Sequence, residues 1–320
     1  MSLTRPRLLF SFVTDSELYF FSAPQGESSS SPVAADYHLK FSLDDPYKVC
    51  GHVRGLVCLS YLRVLKERNE TAHVICKPST GQLLPLPKVK TKRSFSVYSF
   101  LGFDPTDEEF KVLTITGGDD HRLLTLWTQK LEWRMIECGI GRHYPSRDSD
   151  GICINGGVYY IGRFYRNNDD EPDLAIVCFD VRLEKYRVIN EAEDMHLLVS
   201  TTLVDYKGKL GVLIEESRRF EMWVLEDAET HEWSKNVSVL PQPLWKSVAG
   251  KAKLYIAGVV GGTDEVVLWP ESVNPLYVYY YNMERNTFRR VEIKGMEAVS
   301  DYTKHMTLDY VEDVKLMKYV

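Results

Sequence analysis

Residues 179–189 read FDVRLEKYRVI, and their pattern decides the fold. Apolar and β-branched residues flank a charged apex, Arg182-Leu183-Glu184-Lys185, and an aromatic, Tyr186, follows it. That is the signature of strand, tight polar turn, strand. The pattern recurs at 124–136 (LTLWTQKLEWRMI), 223–237 (WVLEDAETHEWSKNV) and 279–293 (YYYNMERNTFRRVEI), and without the aromatic at 74–86 (VICKPSTGQLLPL). The marker position runs Leu83, Trp133, Tyr186, Trp233, Phe288, in steps of 50, 53, 47 and 55 residues. A self-similar unit of this length, built only of strands, predicts an all-β fold of the β-propeller kind.

Working outward, each outer hairpin is preceded by a variable loop and an inner hairpin. The inner hairpins are expected at 51–61, 98–114, 151–163, 201–214 and 248–259. Their turns include Asp104-Pro105-Thr106-Asp107, Asn155-Gly156-Gly157 and Lys207-Gly208-Lys209, residues that tolerate tight reversal. Apolar runs at 158, 210 and 254 suggest strands sandwiched near a propeller axis, so the innermost strands are expected to be apolar. At the N-terminus, residues 6–22 predict two strands and 37–42 a third, with a Ser-rich loop at 25–35. The segment 305–314, HMTLDYVEDV, is a strand with no partner of its own. Pairing it with the incomplete N-terminal unit satisfies both sets of edge hydrogen bonds. The expectation is a single domain, 1–320, of about six blades. The first blade is shared between the chain ends: 1–42 form its partial unit and loop, and 305–320 its closing strand and tail.

Bulk composition narrows the function. The 320 residues carry a net charge of −6, the opposite of a nucleic-acid or anionic-membrane footprint; the basic run at 88–93 is local. None of the six cysteines forms a CxxC pair, which predicts buried free thiols in a reducing compartment, cytoplasm or nucleus, and no zinc ligand set. The N-terminus lacks the apolar core of a signal peptide, and no apolar run is long enough to span a bilayer. The sequons at Asn69 and Asn236 carry no weight without secretion.

Catalytic signatures are missing: no HExxH, no GxSxG and no Walker A loop occurs in the chain. Gly117-Gly118-Asp119-Asp120 and Gly261-Gly262-Thr263-Asp264 lack the lysine and helix start of a phosphate cradle. Acidic runs at 104–109, 169–173 and 226–232 fall where turns are expected, so they read as solvated turns rather than a glycosidase pair. Trp127, Trp133, Trp223 and Trp233 lie on repeat strands and read as inter-blade core. Trp245 and Trp269 fall in Pro-containing stretches read as connectors, where exposed aromatics either anchor a partner or plug a blade gap. In a four-stranded blade, the loop between the second and third strands and the loop between blades open on one face. Here those loops are the long ones, at 88–96, 138–149, 164–173, 240–246 and 261–275. On that face Arg142, His143, Tyr144, Arg163, Tyr165, Trp245 and Trp269 are the candidates for partner contact. No catalytic, cofactor or metal residue is expected.

Several motifs in fixed order also carry a resemblance. They are Cys50-Gly51-His52-Val53-Arg54-Gly55-Leu56-Val57-Cys58, Ile75-Cys76-Lys77-Pro78-Ser79-Thr80-Gly81-Gln82, Gly102-Phe103-Asp104-Pro105, Trp133-Arg134-Met135-Ile136, Gly151-Ile152-Cys153-Ile154-Asn155-Gly156, Cys178-Phe179-Asp180-Val181-Arg182, Trp223-Val224-Leu225-Glu226-Asp227 and Val311-Glu312-Asp313-Val314. Together, over about residues 5–317, the chain resembles the plant F-box-associated domain, kelch-like type 3. Lys77 stands where that family usually has Asn, a difference read as a surface one. The resemblance implies target recognition by the propeller. It also implies docking of an upstream F-box onto the Skp1-like adaptor of a cullin-based (SCF) ubiquitin ligase. This sequence opens where the F-box ends, so the chain alone is expected to bind an unknown target protein, unmodified or modified, and not the adaptor. The alternatives are a lectin-like carbohydrate-binding propeller and a propeller hydrolase.

Overall fold

The computed structural model describes residues 5–14, 17–26, 31–42, 47–64, 69–91, 96–146, 150–165, 171–198, 201–216, 219–239, 250, 253–270, 275–296, 303–312 and 317. They form six sheets of four or five strands, a six-bladed β-propeller. Along the chain, β1 (Arg7–Thr14), β2 (Glu17–Pro24) and β4 (Asp36–Ser42) belong to blade 1, whereas β3 (Val33–Ala34) does not. Blade 2 is β5 (Tyr47–Val53), β6 (Leu56–Val64), β7 (Asn69–Lys77), β8 (Gln82–Pro85) and β9 (Val89–Thr91). Blade 3 is β10 (Val97–Asp104), β11 (Glu109–Thr116), β12 (Asp120–Thr125) and β13 (Arg134–Met135). Blade 4 is β14 (Tyr144–Pro145), β15 (Ile152–Ile154), β16 (Gly157–Phe164), β17 (Asp173–Asp180) and β18 (Lys185–Ile189). Blade 5 is β19 (Thr202–Tyr206), β20 (Lys209–Glu216), β21 (Arg219–Asp227) and β22 (Glu232–Val239). Blade 6 is β23 (Leu254–Val259), β24 (Glu265–Pro270), β25 (Leu276–Asn282) and β26 (Thr287–Lys294).

The final strand, β27 (Thr303–Tyr310), pairs antiparallel with β1 and completes blade 1 from inside, as the edge argument requires. A second fastening was not legible in the sequence. Within the stretch read as a loop, β3 crosses to blade 6 and pairs parallel with β26, Val33 opposite Ile293. The ring is therefore closed at its inner edge by the C-terminal strand and at the outer edge of blade 6 by an N-terminal one.

Six apolar clusters occupy the six gaps between neighbouring blades. Leu9, Phe20, Leu59 and Cys76 fill the gap between blades 1 and 2; Phe100, Leu113, Tyr160 and Phe179 fill that between blades 3 and 4. Each fully buried large side chain contributes about 1.5–3 kcal/mol, so the ring is held by its gaps rather than by any single blade. Trp133 and Trp233 sit half-buried at such gaps and donate their indole N–H to Pro87 O (2.6 Å) and Asn190 O (2.9 Å) of the preceding connector.

The turns explain the repeat. At the outer hairpins of blades 4, 5 and 6, an Asp or Asn begins the turn and its Oδ1 accepts a following amide: Asp180 from Leu183 (2.7 Å), Asp227 from Glu229 (2.7 Å), Asn282 from Arg285 (2.7 Å). The fifth residue of the turn is left-handed at Glu184, His231 and Asn286 (φ 58°, 55°, 52°). The marker aromatic stands two residues later. Lys77 occupies the same first position in blade 2, and its side-chain ammonium cannot accept a hydrogen bond. There Pro78 fixes φ and Gly81 (φ 70°) donates its amide to Lys77 O at 3.0 Å. Lys77 is 4% exposed, so its departure from the family pattern is a buried one.

Two expectations are corrected. The inner hairpin of blade 6 is not 248–259 but β23–β24, because residues 260–264 form the reversal between them. Trp269 is accordingly a β24 residue, opposite Tyr255, and not a connector anchor. Second, the apolar runs at 158 and 210 form β16 and β20, the second strands of their blades; the strands that line the axis carry polar side chains, described below.

Candidate functional site

The connector between blades 3 and 4 and the end of β16 meet on the long-loop face. β14 pairs with β16, placing Tyr144 opposite Arg163. Arg142 donates through Nη2 to Gly117 O (3.0 Å) and to the Tyr144 hydroxyl (2.5 Å). The Tyr144 ring meets Tyr165 edge-on, centroids 5.9 Å apart. Arg163 Nη2 donates to the Tyr98 hydroxyl (3.2 Å) and Pro145 O (3.3 Å), while its Nε is buried with no hydrogen-bond partner among the described residues. Tyr165 is 48% exposed. The structure thus brings four of the expected residues, Arg142, Tyr144, Arg163 and Tyr165, into one aromatic-cationic patch.

The Gly117-Gly118 turn serves this patch and not a phosphate. A side chain at Gly118 (φ +84°) would meet His143 O at 2.9 Å and the Tyr144 ring at 3.0 Å, and the His143 amide donates to Gly118 O (3.2 Å). Only glycine lets the connector lie this close. The Gly261 amide likewise faces the Asp309 carboxylate (3.1 Å), so that turn repels rather than attracts an anion.

His143 does not belong to the surface: it is wholly buried, stacked between Tyr160 and Phe164. Trp269 is half-buried against the core between blades 6 and 1, with Tyr255 6.0 Å away. Trp245 lies outside the described residues.

Beneath the patch, His143 joins His121 and Cys138, with one donor atom from each within 4.8 Å of the others. His143 Nε2 lies 2.7 Å from the Tyr160 hydroxyl and His121 Nδ1 2.7 Å from that of Tyr186. Burial holds both imidazoles below their ordinary pKa, His121 at about 4 with the neighbouring His143 adding to the effect; burial pushes the Cys138 thiol up. Sequence reading missed this grouping because Cys138 and His143 come from an irregular connector and His121 from β12. The pairing of the Ile136 amide with His121 O (2.9 Å) is what carries the connector past it.

A cavity of about 420 Å³ runs along the axis, lined by β5, β10, β15, β19, β23 and β27. Lys48 Nζ and His305 Nδ1 approach the Asp150 carboxylate at 3.8 and 3.6 Å. His52 Nε2 lies 3.1 Å from Leu308 O, and burial, reinforced by His305, brings its pKa to about 4. Asp205 and Asp309 also line the cavity, but each is engaged in backbone geometry: Asp205 accepts the Gly208 amide (2.7 Å) and Asp309 that of Gly261. The axis therefore holds mixed charge.

The chain as a whole is similar to known proteins. Residues 7–313 match the family described as F-box associated beta propeller domain. The chain is 45% identical to F-box protein DOR of Arabidopsis thaliana, over 99% of this chain and 82% of that protein. It is 40% identical to F-box protein At3g61340 of the same plant, over 99% and 83%. Among solved structures it is similar to TolB from Acinetobacter baumannii, at TM-score 0.52 and 12% identity, over 95% of this chain and 66% of that one. It is also similar to the fucose-specific lectin of Aleuria aurantia, at TM-score 0.46 and 9% identity, over 80% of each.

Proposed function

The chain belongs to the F-box associated beta-propeller family, and from that premise we propose that it is a target-recognition module that binds a protein partner without turnover. The observation that carries this reading is the patch of Arg142, Tyr144, Arg163 and Tyr165. Tyrosine and arginine supply large contact area at low ordering cost and dominate binding energy at protein interfaces. Here Tyr144 and Arg163 are held by strand pairing, Arg142 by its hydrogen bonds to Gly117 O and the Tyr144 hydroxyl, and Tyr165 by its edge contact with Tyr144, so less is lost in fixing them. The two guanidinium groups favour a target segment that offers carboxylates beside an apolar or aromatic side chain. In a polypeptide that also carries an F-box, this face would present the target to a cullin-based ubiquitin ligase while the F-box holds the Skp1-like adaptor. The six free cysteines agree with work in the reducing cytoplasm or nucleus; among the described residues no helix is long and apolar enough to cross a membrane.

The test compares cross-linked partners captured from plant extract by three proteins. They are the native chain, the triple variant Arg142→Ala/Tyr144→Ala/Tyr165→Ala, and Glu284→Ala on the opposite face. Loss of a discrete partner set in the triple variant alone is expected, with the partner recovered chemically unchanged. Equal capture by all three would reject the face, and recovery of a processed partner would reject binding without turnover.

A further inference from the structure

His121, Cys138 and His143 meet the requirements of a metal site. Their donors fall within 4.8 Å of one another, with Cys138 Sγ 3.9 Å from His143 Nδ1. Around a tetrahedral zinc ion, with Zn–S near 2.3 Å and Zn–N near 2.0–2.1 Å, sulfur and nitrogen ligands stand roughly 3.6 Å apart. Small side-chain rotations close that gap. Each imidazole already has its far nitrogen on a tyrosine hydroxyl, His143 Nε2 on Tyr160 and His121 Nδ1 on Tyr186. Such outer contacts orient a ligating histidine, because a ring N–H donated outward leaves the other nitrogen with its lone pair facing the metal. His143 Nδ1 now lies 3.0 Å from Gly141 O. Gly141 is exposed, so water can take over that carbonyl when a metal takes the nitrogen. Both tyrosine hydroxyls can switch between accepting and donating as the tautomer requires.

We propose that His121, Cys138 and His143 bind a zinc ion with three protein ligands, the fourth position being left to water or to a group of the bound partner. One imidazole-imidazole-thiolate set selects a borderline-soft transition metal over magnesium or calcium, which prefer oxygen. Binding converts the Cys138 thiol to a thiolate and releases its proton to solvent; no electron is transferred. The consequence is mechanical. Cys138 and His143 bracket the connector that carries Arg142 and leads to Tyr144, and His121 belongs to β12. The ion would therefore pin the connector to blade 3 directly beneath the exposed patch.

The experiment uses the whole chain, stripped with a chelator and titrated with cobalt(II) as an optical stand-in, then with zinc. A thiolate-to-cobalt charge-transfer band, visible bands of tetrahedral intensity, saturation at one equivalent and displacement by zinc are expected. Cys138→Ser, at a half-exposed position that leaves the core intact, should lose the charge-transfer band and bind zinc about a hundredfold more weakly. Tyr160→Phe should keep the band and weaken binding about tenfold. Zinc should raise the melting temperature of the native chain and not that of Cys138→Ser. No band in the native chain, or the same band in Cys138→Ser, overturns the proposal. So does equal thermal stabilisation of both proteins.

Discussion

Gln25 and Asp309, 284 residues apart, hold one another by two hydrogen bonds: Gln25 Nε2 donates to Asp309 Oδ1 (2.7 Å), and the Asp309 amide donates to Gln25 Oε1 (2.7 Å). Asp309 is left-handed (φ 53°) at the irregularity where β27 shifts register against β1. Its carboxylate also receives the Gly261 amide, so one residue ties β27 to both chain-end blades. Gln25→Ala should lower stability by about 1–2 kcal/mol, and Asp309→Ala by more, because it also removes the contact with the Gly261 amide. Urea midpoints measure both; equal and negligible losses would show that apolar burial of β27 closes the ring without this clasp.

Gly102 on β10 sets the distance between blades 3 and 4. A Cβ there would lie 2.7 Å from Val181 Cγ2 and 2.9 Å from Val158 Cγ2. Gly102→Ala should therefore cost about 1–3 kcal/mol through overpacking. Adding Val181→Ala should recover part of that loss, giving a favourable coupling in a double-mutant cycle. Simple additivity of the two losses would mean the blades part freely at this seam.

His73 is wholly buried, with Nε2 on Ser99 Oγ (2.7 Å) and Nδ1 without a hydrogen-bond partner among the described residues. Burial lowers its pKa from 6.5 to about 4. Between those values the unfolded chain holds the extra proton and the folded chain does not, so stability is full above pH 6.5 and falls as the solution is acidified towards 4. The slope from this one group reaches about 1.4 kcal/mol per pH unit. His73→Gln should flatten the profile across that window while lowering stability at pH 7. An unchanged slope in the variant would assign the acid sensitivity elsewhere, His52 being the first candidate.

Glu108 is exposed and left-handed (φ 54°) at the end of the β10–β11 turn, where the Thr106 amide is already held by Asp104 Oδ1 (2.8 Å). The conformation costs an L-residue about 1–2 kcal/mol, partly offset by the entropy that glycine adds to the unfolded chain. Glu108→Gly should stabilise by about 0.5 kcal/mol net, read as a rise in the thermal midpoint; a fall would mean the turn relaxes in solution.

The outer hairpins were legible because their determinants are local. Asp180, Asp227 and Asn282 start the turns, and an aromatic falls two residues past the left-handed position. Blade 6 was misread at its inner hairpin because Gly261-Gly262 and Pro270 suggest a connector, whereas Pro270 simply ends β24 as the partner of Leu254. The two-residue β3 has no local signal at all; its pairing with β26 exists only once the ring has formed. Burial likewise separated neighbours that sequence could not: Arg142 and Tyr144 reach the surface, and His143 between them turns inward. The polar axis has no such local signal, because every second residue of an innermost strand faces the cavity and the longest apolar runs belong to the strands behind.

The closing of blade 1 also gives the ring an up and a down. Arg7 pairs with Tyr310, at the rim carrying the short inner turns, whereas Arg142 and Tyr165 crown the other rim. Any module spliced ahead of β1 would hang below the disc, leaving the upper side clear for whatever lands there. A cargo and its carrier could thus be held on opposite sides of one rigid plate, the gap between them set by the thickness of the plate.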